Sequence, residues 1–354
     1  MLTKLAAQFT SLLRQPRRPK KKLFIHAGTF KTGTSFFQHV MYHNREKLLD
    51  AGICYPDTGL GLKTTHNQYA HRILGIHLVN GSKNHFPAII DELNQNTALS
   101  QAIVSYEGFC QFQALEKLRD SRQCFKTVDL HGILVFRPHV DYALSLYREL
   151  SQRVSFKPSF QDFVSPGQHI GKPWKRTLRY AEIVTLWQGL VGKKRVHVKS
   201  YNSIKHDVVS EILGVIGFDT PLPRPSSVTR NVTLSAPCAA LMRNINQEKI
   251  KEQTRSAFAR ELLEIDAQFP EFQDYCEITQ DEAKILERQY ETDRNFFDSQ
   301  GLIPKNELLL GDNWRWGHNS DIEPAQRQAQ AILLQQLQQK EYTSLLDIAK
   351  RAFQ

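Results

Sequence analysis

Leu23-Phe24-Ile25-His26-Ala27-Gly28-Thr29-Phe30-Lys31-Thr32-Gly33-Thr34-Ser35 is the stretch that decides the fold. It begins as a short apolar run, turns at a glycine, and continues into a helical pattern that reaches Leu49. Gly28 and Gly33 allow tight backbone turns. The start of the following helix offers free N–H groups and the positive end of its dipole to an anion. The segment therefore predicts a strand, a phosphate-binding type of loop and a helix.

Further apolar runs alternate with helical patterns along the chain. The runs cover residues 102–105, 132–136 and 196–198, and the helical patterns lie near residues 66–78, 86–99, 139–151, 177–190 and 206–217. Parallel strands need a crossover connection, which is usually a helix. The sequence therefore predicts an α/β fold: a P-loop-like three-layer domain with a central parallel sheet.

Both ends of the chain have a different character. Within residues 1–14, Leu2, Leu5, Phe9 and Leu12 share one stripe of a helix, and a Pro-containing basic stretch follows up to Lys22. Helical patterns dominate beyond Pro225, at residues 235–269 and 279–298, and a terminal helix pair is expected within 324–354. We predict an amphipathic helix and basic linker over 1–22, the α/β domain over 23–320 and a helical extension over 321–354.

Charge and composition limit the classes of partner. Of the net charge of +10, seven positive charges lie within residues 1–22, which contain no acid. The body of the protein therefore needs only a local positive pocket, and no nucleic acid is expected as a partner. The N-terminal helix has two interpretations, contact with an anionic membrane surface or docking on protein. A cytoplasmic chain is expected, either free or peripheral on the inner membrane face, because no secretory signal is evident.

No metal centre is indicated by the sequence. The five cysteines are scattered without a CxxC pair, and the thirteen histidines form no HExxH pattern. We therefore expect that the protein requires no metal.

The loop after the first strand carries the first set of candidate ligand contacts. Its Gly-x4-Gly spacing resembles a Walker A loop, but Thr34 follows the second glycine and the lysine is displaced to Lys31. This departure weakens the alternative of a P-loop-like nucleotide kinase or NTPase. Lys31 supplies a positive charge, while Thr32, Thr34 and Ser35 supply hydroxyl donors.

A second candidate site lies at the end of the third long apolar run. Arg137 ends that run and Ser145 follows eight residues later on a predicted helix. A guanidinium can bind a phosphate through two parallel hydrogen bonds. The alternative is an arginine in an ordinary ion pair and a solvated serine.

Together these segments resemble the sulfotransferase family, which transfers a sulfuryl group from 3′-phosphoadenosine 5′-phosphosulfate (PAPS). The motif P-K-[ST]-G-[ST]-[ST], which binds the 5′-phosphosulfate, is similar to residues 30–35. The second motif, which binds the 3′-phosphate, is similar to Val135-Phe136-Arg137-Pro138 through Ser145. The resemblance implies that Lys31, Thr32, Gly33, Thr34, Ser35, Arg137 and Ser145 bind PAPS.

Three more matches extend the resemblance over residues 23–245. Ile103-Val104-Ser105-Tyr106-Glu107 is similar to a Ser-x-Glu strand end of bacterial and carbohydrate-directed members, residues 195–207 to a late strand-helix unit, and residues 231–235 to an N-x-S-L-S segment. Phe30 replaces the usual proline, and the C-terminal Arg-Lys-Gly loop of the small-molecule branch is missing, so Arg230 is only a positional candidate for part of its role. The resemblance favours a bacterial-type, glycan-directed member that acts in polysaccharide sulfation.

The implied reaction transfers the sulfuryl group to a hydroxyl, or an amine, of a glycan or glycoconjugate. Lys31 is expected to neutralise charge on the leaving nucleotide. Glu107 is expected to be the base, because a carboxylate at the end of a parallel strand faces the same crevice as the loop. His66 and His71 are competing candidates. A non-enzymatic membrane- or nucleic-acid-binding protein is the remaining alternative.

Overall fold

The central sheet has five strands and is parallel throughout. The computed structural model describes residues 19–62, 68–165, 178–225, 232–310 and 322–353. Its strands are β1 (Lys21–His26), β2 (Ile53–Cys54), β3 (Gln101–Ser105), β4 (Val128–Phe136) and β5 (Val196–Ser200), in the spatial order β2-β3-β1-β4-β5. The predicted α/β fold with a central parallel sheet is confirmed.

Helices occupy most of the remaining described chain. They are α1 (Thr34–His43), α2 (Arg45–Asp50), α3 (Arg72–Asn80), α4 (Phe86–Gln95), α5 (Phe112–Asp120), α6 (His139–Arg153), α7 (Phe160–Val164), α8 (Tyr180–Val191), α9 (Tyr201–Ile204), α10 (Val208–Val215), α11 (Ala236–Gln247), α12 (Glu252–Gln268), α13 (Gln280–Gln289), α14 (Glu291–Ser299), α15 (Glu323–Gln339) and α16 (Thr343–Ala352).

Strand β1 lies at the centre of the sheet, and its side chains alternate between the two faces. Leu23 and Ile25 are buried against α3, α4, α5, α6 and α8, whereas Phe24 is buried against α1 and α10. Helices on both faces give the three-layer arrangement that a parallel sheet requires. Strands β1 and β3 end together, because His26 is paired with Ser105, whereas β4 continues beyond Ile133, the partner of His26, to Phe136. The segments that follow β1, β3 and β4 therefore leave the sheet at the same edge.

A third apolar cluster lies outside the sheet. Helices α11, α12, α15 and α16 contribute to it, and its fully buried members include Met242, Phe258, Leu262 and Leu333. Residues 322–353 do form two helices, and they pack on the helical part of the chain. This cluster matters for the site because the segment that enters α11 contacts the loop after β1.

The strands near the amino-terminal end of the described chain differ from the prediction in two respects. Lys21 and Lys22 belong to β1 instead of the linker, with Lys21 paired to Val128 and the ammonium of Lys21 donating to Leu93 O at 2.6 Å. Strand β2 was not predicted, because its two residues are too few to produce a periodic pattern. Its place at the sheet edge is decided by pairing with β3.

Helices predicted as continuous are broken in three places, one of them at Tyr290, where the pattern over 279–298 divides into α13 and α14. The helix after the loop ends at His43 because the Asn44 side chain donates to Val40 O at 2.8 Å and to Pro223 O at 3.0 Å. The pattern over 235–269 divides into α11 and α12, and this turn lets Phe258 and Leu262 pack on Met242. Helix α5 was not predicted, although Phe112, Leu115 and Leu118 lie at helical spacing.

Some predictions concern residues outside the described part of the chain. These include the N-terminal amphipathic stripe within 1–14, the first two residues of the helix predicted over 66–78, and the site candidates His66 and Arg230. In the described chain that helix begins only at Arg72, so His71 precedes it. In the described ranges no helix is both long enough and apolar enough to cross a membrane.

Candidate active site

The loop after β1 continues the pairing of that strand with β4. Ala27 N donates to Ile133 O at 2.9 Å and Thr29 N donates to Val135 O at 3.1 Å. The chain then reverses through Lys31 (φ 66°) and Gly33 (φ 77°), and α1 begins at Thr34. A left-handed backbone is unusual for a lysine and marks a constrained turn. The turn directs the start of α1 and its free N–H groups toward the edge where the strands end.

The three candidate hydroxyl groups, those of Thr32, Thr34 and Ser35, have different environments. Thr32 Oγ1 donates to Thr29 O at 2.6 Å and lies 3.3 Å from Thr34 Oγ1, and both threonines are buried. Ser35, by contrast, is exposed. A side chain on Gly28 would stand 2.9 Å from Thr32 Oγ1, so glycine is needed for the loop to close over these hydroxyls. The Thr32 hydroxyl therefore stabilises the loop itself, and Ser35 is the more accessible donor.

Lys31 is anchored by residues distant in sequence. Its ammonium donates to Thr233 Oγ1 at 3.0 Å and lies 3.7 Å from Glu149 Oε2. Burial lowers the pKa of Lys31 below its ordinary value, and the nearby Glu149 carboxylate opposes that shift. An anion bound at the loop would stabilise the charged ammonium further. The site thus holds a partly desolvated positive charge beside a helix N-terminus.

Arg137 connects the second predicted contact to the first. Its NH1 donates to the backbone oxygen of Lys31 at 2.8 Å, and its Nε donates to Asp141 Oδ2 at 2.6 Å, with NH2 also contacting that carboxylate. The guanidinium lies over the Tyr201 ring at 5.3 Å, and Tyr180 Oη donates to Arg137 O at 3.1 Å. Arg137 is therefore in an ion pair, as in the alternative interpretation, and it also holds the loop after β1.

One face of α6 carries most of the polar groups next to these two cations. Asp141, Ser145, Glu149 and Arg153 are spaced four residues apart, so they lie along one stripe of the helix. Asp141 pairs with Arg137, while Glu149 pairs with both Lys31 and Arg153, at 3.2 Å for the latter. Ser145 lies between the two acids and is half-buried. The stripe brings Ser145 to the same part of the molecule as Lys31 and Arg137.

Glu107 lies two residues beyond the end of β3, at the start of a short 3-10 helix. Its Oε2 accepts a hydrogen bond at 3.3 Å from Gln38 Nε2 of α1. Burial raises the pKa of Glu107 above its ordinary value and the Glu149 charge adds to the shift, whereas the Gln38 hydrogen bond and Arg72 oppose it. Glu149 thus influences the ionisation of both Lys31 and Glu107.

Two buried histidines lie at the same edge. His71 is fully buried; its Nδ1 accepts from Ser105 N at 3.1 Å, and its Nε2 lies 2.9 Å from Pro56 O, with its pKa lowered by burial to about 4. His26, also fully buried, contacts Ser105 Oγ at 2.9 Å through Nδ1, and burial lowers its pKa to about 3. Both nitrogens of His71 are engaged in connecting β3 to the segment after β2, so its position fits a structural role.

Residues that the sequence did not single out complete the site. They are Gln38, Asp141 and Glu149, together with Thr233. Thr233 lies in the matched segment 231–235, but no contact was predicted for it. The four-residue spacing from Ser145 to Glu149 and from Thr34 to Gln38 is the signal that could have indicated two of them. Among the described residues, no group of three or more His, Cys, Asp or Glu side chains could hold a metal ion.

Comparisons with known proteins give little similarity. No family model matches the chain, and no curated protein matches it. Among solved structures, the chain is similar to a crystal structure of a sulfotransferase from Alicyclobacillus acidocaldarius, with 17% sequence identity and a TM-score of 0.36. The match covers 71% of this chain and 95% of that chain. Values this low do not assign an activity.

Proposed function

We propose that the protein is a PAPS-dependent sulfotransferase that transfers a sulfuryl group to a hydroxyl of a glycan or glycoconjugate. One observation carries the proposal: the Lys31 loop after β1 is hydrogen bonded directly to Arg137 after β4, and Glu107 follows β3 on the other side of β1. Two cationic contacts and one carboxylate at a common sheet edge suit a donor with two separate anionic groups and an acceptor with a labile proton.

The residues present fit such a donor. The loop amides, Lys31 and Ser35 would hold the 5′-phosphosulfate at the start of α1, where N–H groups and the helix dipole favour an anion. Arg137 and Ser145 would hold the 3′-phosphate. A guanidinium has five N–H donors, so Arg137 can keep its contacts to Asp141 and Lys31 and still donate to a phosphate oxygen.

The proposed chemistry is an in-line displacement at sulfur. The acceptor hydroxyl oxygen forms the new S–O bond, its proton passes to Glu107, and the bond between sulfur and the bridging oxygen breaks to release 3′,5′-ADP. Lys31 stabilises the negative charge that accumulates on that bridging oxygen. A carboxylate whose pKa is raised by burial is a stronger base than an ordinary glutamate and suits this step.

Nucleotide binding without metal tests the donor assignment. Isothermal titration in the presence of EDTA is expected to give tighter binding of 3′,5′-ADP than of 5′-AMP by about ten to a hundred fold, since a charge-assisted hydrogen bond contributes about 1.5–3 kcal/mol. ATP is expected to bind more weakly than 3′,5′-ADP. Equal affinity for 3′,5′-ADP and 5′-AMP would reject the assignment, and Mg²⁺-dependent ATP turnover would favour the kinase alternative.

The acceptor class is tested separately. With radiolabelled PAPS, label is expected to enter neutral oligosaccharides that offer only hydroxyl groups. Transfer to an amino sugar, and none to those oligosaccharides, would show that the acceptor atom is nitrogen. The same experiment with a phenol would distinguish a glycan-directed enzyme from one that acts on small aromatic molecules.

A further inference from the structure

A chain of hydrogen bonds runs beneath the candidate site and ends at Glu107. Gln38 Nε2 lies 3.3 Å from Glu107 Oε2, 3.2 Å from Ser105 Oγ and 3.4 Å from Ser105 O. Only the NH₂ end of an amide can donate to these acceptors, so the Gln38 side chain has one favourable orientation. Gln38 is only 4% exposed, and this orientation is protected from competition with water.

His26 fixes the other end of the chain. The Ser105 hydroxyl accepts from Gln38 at 3.2 Å, and its oxygen also lies 2.9 Å from His26 Nδ1. Burial lowers the pKa of His26 to about 3, and the neutral imidazole can keep this contact with its proton on either ring nitrogen, because a hydroxyl both donates and accepts. The backbone of Ser105 is held as well, because its N donates to His71 Nδ1 at 3.1 Å and its O accepts from His71 N at 2.9 Å. Ser105 is thus a rigid acceptor for Gln38.

We propose that Gln38 is a positioning residue that holds the Glu107 carboxylate in a single orientation at the strand edge. The inference rests on the proposed function, in which Glu107 is the base. Gln38 lies four residues after Thr34, on the same face of α1 as the residue that begins the helix. The helix that presents its N-terminus to the sulfuryl donor therefore also orients the group that activates the acceptor.

The direction of the expected effect follows from the charges around Glu107. Gln38 donates to the carboxylate and favours the ionised form, so its removal raises the pKa of Glu107 further. The other groups that face Glu107 remain in place in such a variant. They are Arg72 of α3, Glu149 of α6, Tyr55 after β2, and Tyr106 and Cys110 of its own segment.

Gln38→Met tests the proposal, because methionine has a similar length and no donor. Two measurements are made on the full chain: the pH dependence of kcat/KM with PAPS, and a carbon NMR titration of the Glu107 carboxyl group without ligand, assigned with Glu107→Gln. The acidic limb of the pH profile of kcat/KM and the midpoint of the Glu107 carboxyl titration are both expected to move to higher pH by about one unit. In a Glu107→Gln background, Gln38→Met is expected to have little further effect on kcat.

A matched control is available on the surface. Gln161 Nε2 donates to Glu282 Oε1 at 2.9 Å in an exposed pair, so Gln161→Met removes the same kind of hydrogen bond outside the site and is expected to change neither measurement. An unchanged Glu107 titration in Gln38→Met would overturn the inference. A shifted titration with an unchanged pH profile would keep the contact and reject Glu107 as the base of the proposed reaction.

Gln38→Glu is the second variant if the methionine variant does not fold. It places a second carboxyl group next to Glu107, and the repulsion between two carboxylates is expected to raise the apparent pKa of the pair above that of Glu107 alone. An apparent pKa no higher than that of Glu107 in the wild type would contradict the contact between residue 38 and Glu107.

Discussion

The two halves of the sheet edge differ in how their charges are held. On the side of β1 and β4, Lys31 and Arg137 are cations that contact acids of α6, namely Glu149 and Asp141. On the side of β3, Glu107 accepts its hydrogen bond from a neutral amide. An ion pair favours the charged form of both partners, whereas the pKa of Glu107 stays raised because the effect of burial exceeds that of its amide hydrogen bond. The first half suits binding of a fixed anion, and the second suits transfer of a proton.

The largest expected effect is on the β3 side. Glu107→Gln keeps the shape of the side chain and removes the base, so turnover is expected to fall by about 10²–10⁴ fold while the affinity for 3′,5′-ADP stays near that of the wild type. Steady-state kinetics and titration calorimetry measure the two quantities. Exposed Glu116→Gln is the matched control and is expected to be neutral.

Histidine variants test whether Glu107 or a histidine is the base. His66→Asn and His71→Asn are expected to reduce turnover less than Glu107→Gln. A nearly normal Glu107→Gln enzyme together with an inactive His66 or His71 variant would transfer the role of base to a histidine.

Lys31→Ala is expected to affect binding and turnover together. It removes a positive charge that would contact the group being transferred, and loss of one such contact typically lowers kcat by about 10²–10³ fold. PAPS affinity is expected to decrease as well, which separates this variant from Glu107→Gln. Exposed Lys284→Ala, which only breaks a surface pair with Asp281, serves as the control. Unchanged PAPS affinity in Lys31→Ala would contradict the comparison between the two halves.

Arg137→Ala is expected to weaken the binding of 3′,5′-ADP by about ten to a hundred fold, because a charge-assisted contact to a phosphate is lost. The affinity for 5′-AMP, which has no 3′-phosphate, should decrease far less, and the ratio of the two dissociation constants is the decisive quantity. Arg179→Ala, at an exposed arginine paired with Glu182, is the control. Parallel losses for both nucleotides would show that Arg137 only supports the loop through Lys31 O.

Glu149→Gln is expected to have the smallest effect and the opposite sign. It removes a carboxylate that holds Lys31 and Arg153 before the ligand binds. Partly exposed ion pairs contribute about 0.2–1 kcal/mol, so 3′,5′-ADP should bind up to about fivefold more tightly. Glu182→Gln is the control for a lost exposed pair. Weaker binding in Glu149→Gln would mean that this carboxylate orients Lys31 for the ligand instead of competing with it.

Local patterns in the sequence were sufficient for the parallel sheet and for the loop. An apolar run followed by Gly28, Lys31 and Gly33 predicts a strand, a phosphate-binding type of loop and a helix. Strands that alternate with helices predict parallel pairing. The positions of Lys31, Arg137 and Glu107 next to the strand ends followed from the same patterns. The proposed roles of these residues in binding and catalysis stay predictions.

Only the tertiary structure decided which groups surround those residues. Thr233 is about two hundred residues from Lys31 in the chain, and their contact depends on how α11 packs. Gln38 and Glu149 lie on helices whose rotation is fixed by burial of their apolar faces, and periodicity alone does not say which polar face meets the sheet edge. Sequence determines local conformation because it acts through neighbouring residues, whereas the charges and hydrogen bonds that set the pKa of Lys31 and Glu107 come from segments brought together by packing.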